Sequence, residues 1–509
     1  MTGTPKLVYR LALIAVCLVL LAPLTLAEVP PLLDYPNHLA RMVLLAFGAA
    51  DPILSRFYAT RWAIIPNLAL DVTLPPLMRV LPVHVAGRSI VGLIVLLPVL
   101  GAAAYHRALT GRRSLVPLTA ALFAWNAAML RGFLTFEASV GLALLFAAAW
   151  IAWRDTKPVR AFVTASLGSV VLFFCHLTGA LFFAILLGTH EVTSPRFRAR
   201  PWSIGLLAAV FLAPAILYAV SDLSHMQGDA VFRSSSSKAL AAMMPVINYH
   251  WSLDLLTSAI CVAVPAWCLA RRWASVPPGA VLALAAAVLL FLVSPVAFKG
   301  TFDLDTRFIV MTAALLPAVL VPAAIPRRAA WCLTIGFLAL FGARMGVLAG
   351  VWNAWRGDLA DFRAVIAPVQ PGDLVLSAQV SPREAPGWWA SGPNARRLSD
   401  GRAMDTHLPA LLLIERRAWW PYLFDNPSQQ PIETREPYRS LAERVGPMPD
   451  MRELIVLEDA ELGNFTHVLL LDAGGLSGPV SPRLVLMVLR DKAALFRVVA
   501  DRPNAGPSR

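Results

Sequence analysis

"LVYRLALIAVCLVLLAPLTLAEVPPLLDYPNHLARM", residues 7–42, opens as an apolar run and closes with an acid, an imidazole and a guanidinium: Asp34, His38 and Arg41. The run from Leu7 to Ala27 has the ~20 residues needed to cross the hydrocarbon core of a bilayer. Lys6 and Arg10 open it as they would a secretory signal, but Glu28-Val29-Pro30 makes a poor cleavage site, so the segment reads as a retained first helix. Asp34, His38 and Arg41 then stand just outside a first span. Ionisable groups there are costly unless they are paired or line a cavity.

The rest of the chain fits that beginning. Of its 509 residues 58% are hydrophobic and 15% charged, whereas soluble domains run nearer half apolar and a quarter charged. This is the composition of an integral membrane protein with the lipid bilayer as its surroundings. The net charge of +13 does not indicate a nucleic-acid partner, because Lys and Arg fall in short clusters between apolar runs. Cys17, Cys175, Cys261, Cys268 and Cys332 all lie in apolar segments, so they read as small hydrophobes rather than a disulfide framework.

Apolar runs predict about eleven transmembrane helices, over 7–27, 86–105, 115–130, 133–153, 161–175, 177–190, 202–220, 252–270, 279–297, 308–325 and 329–350. With the N-terminus cytoplasmic, alternation puts six basic clusters inside: Lys6/Arg10, Arg107/Arg112/Arg113, Arg154/Lys157/Arg160, Arg196/Arg198/Arg200, Arg271/Arg272 and Arg327/Arg328. Their agreement supports a multi-pass protein of a cytoplasmic (inner) membrane with its C-terminal region outside. The expected domains are a transmembrane part, 1–350, and an external α/β part, 351–509. In the first external loop, 28–85, the stretches 37–50 and 62–80 read as interfacial helices along the bilayer. Beyond Trp352, "DLADFRAVIAPVQPGDLVLSAQ" reads as helix, turn and strand, and "ELIVLE", "THVLLLDA", "RLVLMVL" and "LFRVVA" as strands. "THLPALLLIERRAWWPYLF", 406–424, resembles a capped helix, with Trp419 and Trp420 either at the bilayer interface or packed within the domain.

On this topology the unusual polar residues share the external side. Asp34, His38 and Arg41 follow the first span; Arg131 and Glu137 flank the turn "LRGFLTFEAS"; His176 interrupts "VLFFCHLTGALFF"; Lys299, Asp303, Asp305 and Arg307 fill "FKGTFDLDTRF". Each has a plainer alternative. Asp34 before Pro36 suits a helix cap, His176 a turn, Arg131 and Arg307 snorkelling, Glu137 a pair with Arg131, and the two aspartates an ordinary turn. Together they suggest chemistry. A carboxylate can act as general base on a hydroxyl, while arginine, lysine and histidine hold a phosphate. The combination suits transfer of a group from a lipid phosphate. No Walker loop, dinucleotide fingerprint or HExxH helix is present. The cofactor stays open, with no clear ligand motif for a divalent cation.

At this point the sequence resembles a family. An acid in the first external loop, helices in that loop, many spans and an external C-terminal domain are similar to the GT-C superfamily of polyprenyl-phosphate-sugar-dependent glycosyltransferases. "DYPNHLARM", "LRGFLTFEASVGLALL", "FFCHLTGALFF" and "DLDTRFIVMTAALLPA" carry the resemblance, which covers most of the membrane part. It implies a GT-C-like helical bundle, a polyprenyl-phosphate-linked sugar as donor, and a glycan, lipid or protein acceptor. It also implies Asp34 as the base or acceptor-orienting group. Tyr35 stands where many members have a second acid. Arg307, with Lys299 or Arg131, would hold the departing phosphate, and His38 and His176 would shape the site or supply a proton. Arg41 would pair with Asp34 or with phosphate. The alternative class is a non-catalytic transporter or assembly factor for envelope polysaccharide. Such proteins often carry internal repeats and midplane charges, neither of which is seen here.

Overall fold

The computed structural model describes residues 4–195, 197, 203–379, 397–449, 459–473 and 481–499. The inside cluster Arg196/Arg198/Arg200 and the expected strand "ELIVLE" lie outside the described residues. The chain is mainly helical. Helix α1, Lys6–Leu21, continues as a 3-10 turn to Thr25, where Pro23 lacks the N–H of an α-helical bond. In the first loop α2 spans Tyr35–Val43 and α3 Ala69–Met78. Then come α4 (Val83–Thr110), α5 (Leu134–Trp153), α6 (Pro158–Cys175) and α7 (Leu177–Val192). The helical part closes with α8 (Trp251–Ala270), α9 (Pro278–Val293), α10 (Leu304–Val319) and α11 (Arg327–Ile366).

Among the described residues six helices are long and apolar enough to cross a membrane: α1 with its extension, α4, α5, α6, α8 and α11. Helices α7 and α9 are shorter apolar ones. Two expected spans take another form. Residues 115–130 form a 3-10 segment, Val116–Phe123, then a four-residue helix, Ala127–Leu130, started by the Asn126 side chain accepting from Met129 N–H. The 202–220 stretch breaks at Phe211, between Ser203–Val210 and Leu212–Ala219. Pro214 has no N–H to return to the Val210 carbonyl, and Ser169 Oγ of α6 donates to that oxygen instead at 2.7 Å. Buried in an apolar surrounding, an orphaned carbonyl needs such a donor.

Helices α4 and α5 pack through small residues. A Cβ on Gly101 would stand 2.5 Å from the Gly141 carbonyl oxygen, so the backbones meet where neither residue has a side chain. The loops expected inside gather at one end of the bundle. There Thr4 N–H donates to the Arg113 carbonyl at 3.0 Å, Arg154 pairs with Glu191, and Ala323 N–H donates to the Trp273 carbonyl. The turns holding Arg131, His176 and Asp303 lie at the other ends of the same helices.

The 40 residues of α11 rise about 60 Å at 1.5 Å each, twice the hydrocarbon thickness. The helix therefore passes through position 350 without a break and carries Trp352 and Trp355 into the C-terminal part. There Trp355 Nε1 donates to the Val29 carbonyl at 2.9 Å. A four-stranded sheet follows, in the order Val375–Gln379, His467–Leu471, Ala493–Val498, Leu484–Leu489; the first pair is parallel and the others antiparallel. The segment 406–424 is not a regular helix. A 3-10 turn (Leu408–Ala410) and a π turn (Leu412–Arg416) end at Arg417, with φ 53°, and the chain then runs extended beside Leu374. Trp419 and Trp420 are fully buried within the domain and so do not reach a bilayer interface.

The first loop and the C-terminal region interlock. Tyr58–Thr60 pairs antiparallel with Ile432–Thr434. Buried Asn37 donates to the Tyr422 carbonyl and accepts from Phe424 N–H, both at 2.8 Å. Helix α2 is therefore enclosed on nearly every face, unlike the surface helix expected for 37–50.

Candidate functional site

Two stretches far apart in sequence, "LDYPNH" and "LRGF", form the floor of the site. Leu33 N–H donates to the Leu130 carbonyl at 3.0 Å and Asp34 N–H to the Arg131 carbonyl at 3.1 Å. Gly132 permits this contact: at φ 89° it faces Asp34, and a Cβ there would stand 2.9 Å from the Asp34 Cβ. The His38 ring faces the Gly132 backbone, which favours its charged form. Its Nδ1 receives Arg41 Nη1 at 3.3 Å, so the proton is on Nε2. Burial first, and the Arg41 charge second, push the His38 imidazole down to about 3, against the pull of Asp34. It is a neutral ring at physiological pH.

Asp34 precedes α2 but its side chain makes no capping hydrogen bond. Its Oδ1 lies 2.9 Å from His407 Nδ1, off the axis of the ring N–H. The Asp34 and His407 side chains keep 15% and 19% of their surface open. Phe424 stands edge-on to both His407, at 5.0 Å, and His38, at 5.7 Å. Tyr35 is buried with its hydroxyl against Gly87 of α4, so this side chain points into the bundle, away from Asp34.

Beside the acid runs a charged network. Arg131 reaches Asp303 at 2.6 Å and Asp400 at 2.5 Å. Asp303 also binds Arg233, and Asp305 binds Arg233 at 3.0 Å and Lys238 at 2.9 Å. Burial would raise the Asp303 carboxyl, but Arg131, Arg402 and Arg233 outweigh it and hold the group below its usual range. Asp303 itself sits at φ 53° before α10, turning Asp305 and Arg307 into the bundle.

Arg307 is buried over the rings of Phe133 and Phe136, at 5.0 and 5.3 Å. One Nη meets His176 Nε2 and the other the Phe302 carbonyl at 3.3 Å, while its Nε has no partner. Its electrostatic neighbours are Asp303, Asp34 and Glu137. Because guanidinium only donates, His176 accepts at Nε2, while its Nδ1 caps α7 by accepting from Thr178 N–H at 3.2 Å and lies 2.8 Å from Thr178 Oγ1. His176 is extended, at φ −167°, and joins α6 to α7.

The structure thus brings together Asp34, His38, Arg131, Glu137, His176, Asp303, Asp305 and Arg307. Three expected pairings change. Arg41 is engaged in a buried bidentate pair with Asp71 of α3, not with Asp34. Glu137 accepts from Asn126 Nδ2 at 2.8 Å, not from Arg131. The Lys299 ammonium donates to the Ser224 carbonyl at 3.0 Å, apart from the acid–arginine network. Sequence reasoning missed His407, Arg233, Lys238, Asp400 and Asp71. The first four come from segments read as loop or helix with no motif of their own; Asp71 could have been noticed as an acid inside an apolar helix. Among the described residues no group of three His, Cys, Asp or Glu side chains is placed to hold a metal ion.

No family model matches the chain, and no curated protein does. Among solved structures the chain is similar to the cryo-EM structure of the arabinofuranosyltransferase AftD from Mycobacteria. The TM-score is 0.47 at 15% identity, over 98% of this chain and 40% of that one.

Proposed function

We propose that this protein is a membrane glycosyltransferase of GT-C type. It would move a sugar from a polyprenyl-phosphate donor to an acceptor on the external face of the cytoplasmic membrane. The observation that carries the reading is the pairing at one bundle end of an accessible carboxylate, Asp34, with a buried, partly unpaired guanidinium, Arg307. Asp34 is free of capping duty and is the group to deprotonate or orient an acceptor hydroxyl. Arg307 offers its Nε to a departing phosphate, and its burial between Phe133 and Phe136 strengthens any charge it meets. Arg131 stands next to it through Asp303.

In such a transfer the acceptor oxygen bonds to the anomeric carbon while the bond from that carbon to the phosphate oxygen breaks. The lipid phosphate leaves with the electron pair, and the hydroxyl proton passes to a base in the protein. The test is sugar transfer by the full-length chain in vesicles supplied with lipid-linked sugars extracted from its native membrane. The expected result is loss of label from the lipid-linked pool. Properly folded protein that leaves every lipid-linked sugar untouched, yet still binds or moves polysaccharide, would establish the non-catalytic alternative.

A further inference from the structure

Three histidines border the site, and they differ in what their ring nitrogens have left to offer. His38 uses Nδ1 on Arg41, is held neutral by burial, and faces the Gly132 backbone. His176 uses Nε2 on Arg307 and Nδ1 on Thr178. His407 commits only Nδ1, to Asp34. No described group meets His407 Nε2, and since Nδ1 is shut off from solvent, the open part of the ring is the edge away from Asp34.

Two lone pairs do not approach to 2.9 Å, so one of the two atoms carries a proton, although the contact lies off the axis of a hydrogen bond. With that proton on Nδ1, Nε2 presents a lone pair toward the accessible side. Phe424 and Trp420 hold the ring edge-on, at 5.0 and 6.4 Å. The backbone is held by Ala410 N–H on the His407 carbonyl, and by Thr406 Oγ1 on Gln379 at 3.1 Å. The charged and titratable groups facing the ring are Asp34, before α2, and neutral His38, on α2. An imidazole fixed by a carboxylate on one nitrogen and open on the other is the general-base arrangement of hydrolytic triads. The off-axis contact is of the kind that tightens when substrate is bound.

We infer that His407 Nε2 is the proton acceptor of this site and that Asp34 acts through it as the orienting carboxylate. This rests on the glycosyl-transfer reading. As the acceptor oxygen attacks the anomeric carbon, its proton moves to Nε2. The resulting imidazolium is stabilised by ionised Asp34 and then returns the proton to solvent or to the released lipid phosphate. The C-terminal region is therefore part of the reaction centre, since it supplies the residue that touches the acceptor.

The experiment has one arm that needs no substrate. Diethylpyrocarbonate treatment of the folded full-length protein, followed by peptide mass spectrometry, is expected to label His407 and to spare His38 and His176. A protected His407 overturns the inference. The second arm compares His407→Asn, which keeps a side-chain N–H toward Asp34 but has no Nε2, with His407→Phe, which has neither. Both are expected to lose roughly 10²–10⁴-fold in kcat with little change in donor KM, and to lose the acidic limb of the pH–rate profile. Added imidazole should restore part of the rate to His407→Ala. If His407→Asn keeps its rate and its pH profile while Asp34→Asn is inactive, Asp34 is the base itself; the inference then fails and the transfer reading stands. If folded wild-type protein transfers from no lipid-linked sugar, the transfer reading fails first.

Discussion

Arg41 on α2 and Asp71 on α3 close a buried ion pair, with Nε to Oδ1 at 2.7 Å and Nη2 to Oδ2 at 3.3 Å. It locks together two helices of the 28–85 loop. Both side chains are almost wholly buried, so removing one partner strands a charge in a dry environment. Arg41→Ala is therefore expected to cost about 3–5 kcal/mol and to lower the Tm of the detergent-solubilised protein. The double change Arg41→Met with Asp71→Leu should recover most of that loss. An Arg41→Ala protein as stable as the wild type would show the pair to be dispensable.

Asp34→Asn keeps the size of the side chain and removes its charge. Since the wild-type carboxylate caps nothing, the variant should insert and purify normally. Turnover of lipid-linked sugar in vesicles should fall roughly 10²–10⁴-fold. Undiminished turnover would take Asp34 out of the mechanism.

Arg307 divides its donors among His176, the Phe302 carbonyl and a free Nε. A lysine ammonium is a point charge and cannot span the three directions of a planar fork. Arg307→Lys should keep part of the activity and Arg307→Ala less, with the larger effect on kcat. Donor turnover measured for both variants beside the wild type checks the order; equal and full activity would move the phosphate site to Arg131.

Stability should respond to acid in two windows that meet near the low end. His38 titrates near 3 when folded and near 6.5 when unfolded, so between those values the unfolded chain binds a proton that the folded one does not. Its contribution is complete above about pH 6.5 and is lost as pH falls toward 3. Asp303 is held below its usual range; its contribution is present above the unfolded value, about 3.9, and is lost only as pH falls through the lower folded one. Tm measured from pH 8 to 4 should fall less steeply in His38→Gln than in the wild type. Identical slopes would mean that His38 is not held neutral.

Reporter fusions after residues 110, 157, 198 and 272 are expected to report the cytoplasm, and fusions after 240 and 400 the outside, following the basic clusters. A cytoplasmic signal at 400 would put Asp34 and Arg307 in the wrong compartment for a polyprenyl-linked donor.

Local pattern and composition along the chain carry part of this fold. Apolar length and basic clusters specified a multi-pass helical protein, because an apolar helix in lipid satisfies its own backbone and needs no distant partner. The strands "THVLLLDA", "RLVLMVL" and "LFRVVA" were legible from their short β-branched and aliphatic runs. The acids and arginines at the span ends stood out because charge at a membrane edge is costly. The 115–130 and 202–220 stretches were misread because an apolar run has the same hydropathy whether it is one helix or is broken at Asn126 or Phe211. The partners of the charged groups follow from packing in space. Arg41 chose Asp71, Glu137 chose Asn126, and Arg131 chose Asp303 and Asp400, each from a different element of the chain. His407 joined Asp34 from the far end of the sequence because Asn37 and the Tyr58–Thr60 strand dock the C-terminal region onto the first loop. A salt bridge or a catalytic pair depends on distance and desolvation in space, and neither is encoded in the spacing of residues along the chain.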